Sequence, residues 1–416
     1  MKVQPKPTKH SSVVLNQLCK LIPVGMVRDL SAQHGVDKMC RTYSAWSHVV
    51  TLLYAQLTHA IGLNDVCDGL RHHAARLSAI RGATPPSRNG LSHANKKRNS
   101  DMMESLFWNM LAHLQRQHPG FGPSGRYNGL PRRFKKTVYA IDSSTISLVA
   151  NCMDWAKHRR RKAAAKLHLR LNLQSFLPAF AIVEEGSHHD SVRMKALCAG
   201  LFEGEIAVFD KAYVDFAFLF DLTCRGVLWV SRAKDNMRYH VCKKRKVSGN
   251  ILRDDEVTLK TPASKREHPT RMRRIVALVE VDGSMVEMVF LSNNMEWAAS
   301  SVCGLYQSRW AIEVFFKQIK QTLQVCDFLG HSKEAIRWQI WSALLLYILL
   351  RFLAWTSKWA HSFARLFTMI RALTWDRFDL GELLAFYGTA GGRWRMCSQP
   401  QQAYLPGFGL KAYGTA

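Results

Sequence analysis

Y-Q-S-R-W-A-I-E-V-F-F-K-Q-I-K, residues 306–320, is the stretch on which the reading of this chain turns. It holds neither Gly nor Pro, and its apolar residues recur at helical spacing, so it reads as one amphipathic helix. At roughly 100° per residue, Tyr306, Arg309, Glu313 and Lys320 fall within about 60° of one another, with Lys317 beside them. Ile312, Phe315, Phe316, Ile319 and Leu323 make an adjoining apolar stripe. The helix therefore turns a greasy side to a core and a line of one carboxylate, one phenol and three cations to something else. A mixed-charge face is ordinarily just solvated. One acid among cations also suits a place where a metal ion and phosphates meet, and the remaining chain has to supply further acids.

Upstream, T-V-Y-A-I-D-S-S-T-I-S-L (137–148) reads as a strand ending near Asp142. A basic loop, Lys157 to Lys162, precedes the alternating strand L-H-L-R-L-N-L (167–173), and F-L-P-A-F-A-I-V (176–183) follows as a third strand. A helix from Asp190 to Phe202, a short strand I-A-V-F-D ending at Asp210, a helix from Val214 to Cys224 and a strand V-L-W-V-S-R (227–232) complete the run. The order β-β-β-α-β-α-β is that of a ribonuclease-H-like α/β core. It sets Asp142 and Asp210 at strand ends, where ligand groups converge in an open α/β sheet. A single Asp there is usually a cap or turn residue. Two of them, with Glu313 on a later helix, make a candidate acidic site.

Residues 235–296 alternate β-like runs with charged turns, including K-K-R-K at 243–246 and R-M-R-R at 271–274, and read as a β-rich insertion. The N-terminal part, 1–117, reads as helical: a short helix around Leu15–Ile22, a buried one from Ser47 to Leu57 and a third from Asp101 to Leu114. Between the last two lies a Pro/Gly-broken turn and basic segment, residues 85–99, which suits either a helix-turn-helix DNA reader or a plain bundle. A Gly/Pro-rich basic linker occupies 118–136. The core would then run over 137–234 and 297–370, with a helical C-terminal region and tail at 371–416.

With 58 Lys and Arg against 31 Asp and Glu in 416 residues, the chain carries a formal charge of +27. That excess calls for a polyanionic partner, nucleic acid before a membrane surface, and argues against a carbohydrate-active pair of carboxylates. The interval between Arg337 and Arg351 is too short for a comfortable membrane crossing of about 20 residues, so the apolar run 334–355 is expected to be buried against the sheet. Ten cysteines, from Cys19 to Cys397, form no C-x-x-C pair or matched Cys/His spacing, which disfavours a zinc site or disulfide framework. No secretory signal is evident, and a cytoplasmic, nucleoid-associated protein is expected.

The spacing Tyr306-x2-Arg309-x3-Glu313-x6-Lys320 resembles the Tyr-Arg-Glu-Lys signature of the DDE transposases of bacterial insertion sequences, in the IS-four family. Asp-Lys-Ala-Tyr at 210–213 is similar to that family's second-aspartate motif, and Lys166 and His168 lie in a further similar stretch to which no role is given. The resemblance covers about residues 137–356. It implies that Asp142, Asp210 and Glu313 are catalytic and hold Mg²⁺ (with Mn²⁺ as a substitute), two ions in all. It implies DNA contacts from Tyr306, Arg309, Lys317, Lys320, Lys211 and Tyr213. The implied reaction is strand cleavage at element ends followed by strand transfer into target DNA, through a hairpin and a flipped base on which Tyr306 or a Trp of the insertion stacks. The implied partners are double-stranded DNA, both terminal inverted repeats and target, and a second copy of the chain in a synaptic homodimer, with no membrane. A catalytically silent, DNA-binding regulator and a structure-selective nuclease of the same sheet family are the alternatives.

Overall fold

The computed structural model describes residues 7–38, 40, 42–122, 130–148, 157–159, 162–185, 190–281, 283–325 and 328–388. Residues 123–129 of the linker read at 118–136 and the tail beyond residue 388 lie outside these.

The amino-terminal helices are α1 (Val14–Lys20), α2 (Met26–Gln33), α3 (Ala45–Thr58), α4 (Leu63–His72), α5 (Ala74–Ser78), α6 (Arg88–Lys97) and α7 (Asp101–Gln117). Helix α6 falls in the segment read as a basic turn. Its start is set by Ser87, whose hydroxyl accepts the Gly90 N–H at 3.0 Å, so the prolines at 85 and 86 precede the helix rather than break it. On its inner side Asn95 is buried and bonds His48 Nε2 at 2.8 Å.

The strands are β1 (Val138–Leu148), β2 (Lys157–Arg159), β3 (Lys162–Asn172), β4 (Leu177–Glu185), β5 (Ile206–Phe209), β6 (Leu228–Arg232), β7 (Tyr239–Lys244), β8 (Ile251–Leu259), β9 (Met272–Val281) and β10 (Ser284–Ser292). They form one sheet in the order β2-β3-β1-β5-β6-β10-β9-β8-β7, with β4 also paired to β3. β1, β3 and β4 meander antiparallel, whereas β5 and β6 continue parallel to β1. α8 (Asp190–Cys198) leads into β5 and α9 (Phe216–Cys224) into β6, the crossover units of a ribonuclease-H-like sheet. Of the residues read as a basic loop at 157–162, those described instead form β2, at 157–159, and begin β3, at Lys162, paired through Lys157–Ala163 and Arg159–Lys162. The insertion does not stand apart. β10 pairs antiparallel with β6, so β7–β10 extend the same sheet, with α10 (Pro262–Glu267) between β8 and β9. A buried bidentate pair, Arg273 with Asp254 at 2.8 and 2.6 Å, ties β9 to β8, and the same guanidinium bonds the Trp297 carbonyl just ahead of the next helix.

Alternation along the strands sorts the sheet into two faces. Ile141, Ala207, Phe209 and Trp229 pack with α8 and α9. Val138, Ala140, Ile206, Val208 and Val230 join the larger core with the amino-terminal and late helices. Those late helices are α11 (Ala299–Ser308), α12 (Trp310–Lys317), α13 (Lys333–Thr356), α14 (Phe363–Ala372) and α15 (Leu380–Gly388). The single helix expected over 306–320 is therefore broken. Arg309 separates α11 from α12, and Gln318–Thr322 form a π-turn in which the Leu323 N–H reaches the Gln318 carbonyl at 3.0 Å. The α-helical hydrogen-bond pattern ends at Lys317 and gives way to the wider π-turn, so Lys320 leaves the line that even spacing predicts.

Helix α13 is long and apolar enough to span a membrane, but nearly all of it is buried in the protein. The expectation of burial against the sheet needs correction, because its neighbours are chiefly α7, α3, α6 and α14, with β4 the one strand among its principal contacts. Two bonds fix it lengthwise: Trp338 Nε1 donates to the Arg98 carbonyl at 3.0 Å and the Tyr347 hydroxyl to the Phe176 carbonyl at 3.0 Å. At its start, Ser332 accepts the Ala335 N–H at 3.2 Å. Ser332→Ala is expected to destabilise the protein by about 1 kcal/mol, read as a lower urea midpoint at unchanged m-value.

Candidate active site

The parallel ladder of β1 and β5 ends at the pair Ile141–Phe209. The next residue on each strand is an aspartate, so Asp142 and Asp210 emerge side by side where the ladder stops. Both share the parity of Ala140 and Val208, which puts them on the face covered by α11 and α12. β1 runs six residues past Asp142 and pairs there with β3, so Asp142 is not at the end of its strand as expected. What ends at this level is the parallel pairing. Asp210 caps a short 3₁₀ turn, its Oδ1 accepting the Lys211 N–H at 2.5 Å, and Asp142 Oδ1 accepts the Ser143 N–H at 2.8 Å.

Three side chains of the late helices close on the pair. Arg309, at the break between α11 and α12, donates from Nη1 to Asp142 Oδ2 at 2.8 Å and from Nη2 to Glu313 Oε1 at 2.7 Å. The Tyr306 hydroxyl donates to Asp210 Oδ1 at 3.3 Å, and the Arg309 guanidinium lies 5.6 Å from the Tyr306 ring centre. Asp142, Asp210, Glu313, Tyr306 and Arg309 thus meet although they are spread over some 170 residues of chain, between positions 142 and 313. The guanidinium is 8% exposed, Asp142 20% and Glu313 51%, so the site grades from a buried cation to an acid facing solvent.

Of the other expected contacts, Lys317 is exposed one turn beyond Glu313 and Lys320 is half-buried, its pKa lowered by burial. Lys211 pairs with Asp235 at 3.0 Å. Tyr213 is 1% exposed and packs in the core with Phe218 and Leu219. An open depression of about 540 Å³ adjoins Asp210, lined by Lys211, Lys234, Asp235 and Asn236. The last three escaped the sequence reading, although they follow the end of β6, the third parallel strand, and the strand-end rule points to them. Span 235–296 contains no tryptophan. The nearest, Trp297, is half-buried with its ring 5.1 Å from Phe134. His168 belongs to the opposite face, paired with Glu184 at 2.9 Å, and Arg193 of α8 bonds the same carboxylate.

Burial pushes the Asp142 carboxyl up to about 6, against the attraction of Arg309 and the Ser143 N–H, with the negative charges of Glu313 and Asp210 adding to the rise. Tyr306 is pushed up to about 12, chiefly by burial, and stays a proton donor at neutral pH. Burial disfavours the charge on Arg309, but the phenol and acids around it outweigh this and its pKa is raised. A pH effect follows. Between its ordinary value of 3.8 and about 6, Asp142 holds more proton folded than unfolded. Stability therefore falls as pH rises through that window, by at most about 3 kcal/mol, and levels above it. Asp142→Asn is expected to remove that slope, as urea midpoints measured from pH 4 to 7 would show.

Carboxylate oxygens on three separate elements are a donor set for a hard divalent cation. Among the described residues, no three such side chains lie close enough together to hold an ion as they stand. The Arg309 fork spans Asp142 and Glu313 instead.

Comparison with known proteins bears on the same residues. The family model described as "Transposase DDE domain" matches residues 133–349, just over half of the chain and enclosing all three acids, and a domain of unknown function (DUF4372) matches residues 10–80. A probable transposase for insertion sequence element IS5377 of Geobacillus stearothermophilus is 30% identical over 53% of this chain and 58% of its own. The putative transposase y4zB of Sinorhizobium fredii is 24% identical over 72% of this chain and 80% of its own. The chain thus spans little more than half the length of the first of these relatives. Among solved structures, the piggyBac transposase synaptic complex with hairpin DNA aligns over 88% of this chain and 82% of that one, at a TM-score of 0.44 and 9% identity. With the family match laid across the sheet, the acids and the helix that brings Glu313 to them, the chain belongs to the DDE transposase family.

Proposed function

We propose that this chain is a DNA transposase that cleaves strands at the ends of an insertion sequence and transfers them into target DNA. The observation that carries the reading is the meeting of Asp142, Asp210 and Glu313 around Arg309 and Tyr306 where the parallel pairing of β1 and β5 stops. Asp142, Asp210 and Glu313 would hold the metal, Mg²⁺ by the hardness of the donors, with Mn²⁺ as a substitute. A pair of divalent ions held there would supply activation of the attacking oxygen and stabilisation of the leaving one.

The chain's own side chains do the rest. The Arg309 fork balances the charge of the acids and can exchange a carboxylate for phosphate oxygens of like geometry. Lys211, Lys317 and Lys320 offer point charges along the path of a DNA backbone. Tyr306, kept protonated, orients Asp210 through its hydroxyl. Tyr213, inside the core, is a packing residue in this reading. The large positive charge suits two DNA ends held together by a homodimer, in the cytoplasm at the nucleoid. A hairpin step with a flipped base belongs to the same proposal, but Tyr306, 5% exposed with its ring against Phe290, would serve it through Asp210 rather than by stacking.

The test is a plasmid carrying the gene's own flanking DNA, incubated with purified protein in Mg²⁺, in Mn²⁺ and in EDTA. Metal-dependent release of 3′-hydroxyl ends at one position on each flank is expected, followed by their joining to a second plasmid. Binding to the flanks without cutting would favour a regulator. Cutting without regard to the flanking sequence would favour a structure-selective nuclease.

A further inference from the structure

We propose that the outward face of α6 is the surface that reads base edges in double-stranded DNA, entering the major groove at the element's end. This rests on the transposase reading above, which requires an end sequence to be read. The face consists of Arg88, Asn89, Ser92, His93, Lys96 and Lys97, all solvent-exposed and all polar, and the helix contains no acid. Its residue types match base edges as well as phosphates. Asn pairs with adenine, Arg with guanine and Ser with either, whereas lysines at the far end of the helix suit the backbone.

A reader must be held rigidly, and α6 is. Leu91, Ala94 and Asn95 are buried on its inner side, and Asn95 is bonded to His48. Trp338 of α13 donates to the carbonyl of Arg98, directly after the helix. Beside the exposed face lies a concavity of about 490 Å³ bordered by His34, Lys38, His93, Lys97 and Arg98. Its rim is basic. The adjacent acid, Asp37, is already engaged by the Ser31 hydroxyl at 2.8 Å, the Ala45 N–H at 2.8 Å and Arg98 at 3.6 Å. On the neighbouring α4, Asp68 is paired with Arg71 at 3.1 Å. A polyanion can therefore lie in the concavity against cations while the helix face meets the groove floor. Charge complementarity selects a duplex, and the uncharged hydrogen-bonding residues at the start of the helix select base reading over simple attraction.

The experiment uses the full chain and a pool of random 20-base-pair duplexes, enriched by rounds of binding, with the gene's flanking DNA as a second probe. Wild type is expected to enrich a defined base pattern that also occurs in the flanks. Asn89→Ala combined with His93→Ala should lower preference for that pattern about tenfold or more at two or three adjacent positions. Lys96→Ala with Lys97→Ala should weaken binding to all duplexes alike and reduce the salt slope by about one per lysine. All four residues are exposed, and circular dichroism checks that the variants fold. If wild type enriches no pattern, or the Asn89/His93 variant keeps the wild-type pattern, α6 is not the reader. Absence of metal-dependent cleavage by wild type would instead sink the transposase reading, and the enrichment result would still decide this one.

Discussion

Asp142→Asn is expected to reduce metal-dependent strand cleavage by roughly a thousandfold or more while leaving DNA binding near wild type. The change keeps the side chain's size and removes the charge, so loss of packing cannot account for the effect. Metal stabilisation of developing charge contributes several kcal/mol, and about 1.4 kcal/mol is tenfold in rate. Asp210→Asn and Glu313→Gln should fall to similar levels, and pairs of these changes should cost little more than one, because the acids act as a unit. Single-turnover cleavage of end-labelled duplexes in Mg²⁺, alongside mobility shifts in EDTA, separates the two readouts. Cleavage at wild-type rate in any one variant would remove that acid from the site.

Arg309→Ala should be the most destabilising single change at the site, by about 3 kcal/mol, because it strands two carboxylates beside a third. Asp142 already sits at about 6 with the guanidinium 2.8 Å away. Without that cation its pKa should rise further, and the variant should recover part of its lost stability as pH falls from 7.5 toward 6 and Asp142 takes up a proton. Arg309→Lys cannot span Asp142 and Glu313 with one ammonium, so it should restore only part of the stability and little of the cleavage. Urea midpoints at pH 5 and 7.5 test this, and an alanine variant as stable as wild type at both would contradict it.

The site was legible in the sequence to the extent that local pattern carries it. Asp142 and Asp210 stand out because each follows a short apolar strand, and Tyr306, Arg309 and Glu313 because three- and four-residue spacings share a helix face. What the pattern could not carry was the interruption. Arg309 lies at a break between two helices, and the Gln318–Thr322 π-turn contains no Gly or Pro to announce it. α6 was hidden by Pro85, Pro86 and Gly90, which read as breakers until Ser87 is seen to start a helix between them. The β2–β3 hairpin was masked by its run of cations, since charge at a sheet edge and charge in a loop look alike. Tyr213 shows the converse: its motif points to DNA, and the fold puts its side chain inside.

The hydrogen bonds between β6 and β10 have a practical outcome for anyone dissecting this chain. Cutting out the segment from Tyr239 to Ser292 would not trim a removable appendage. It would leave Phe209 and Asp210 one strand away from a raw border, open to any other extended peptide in solution. A shortened chain is thus expected to clump when expressed, and lost activity in it would say nothing about what the removed residues do.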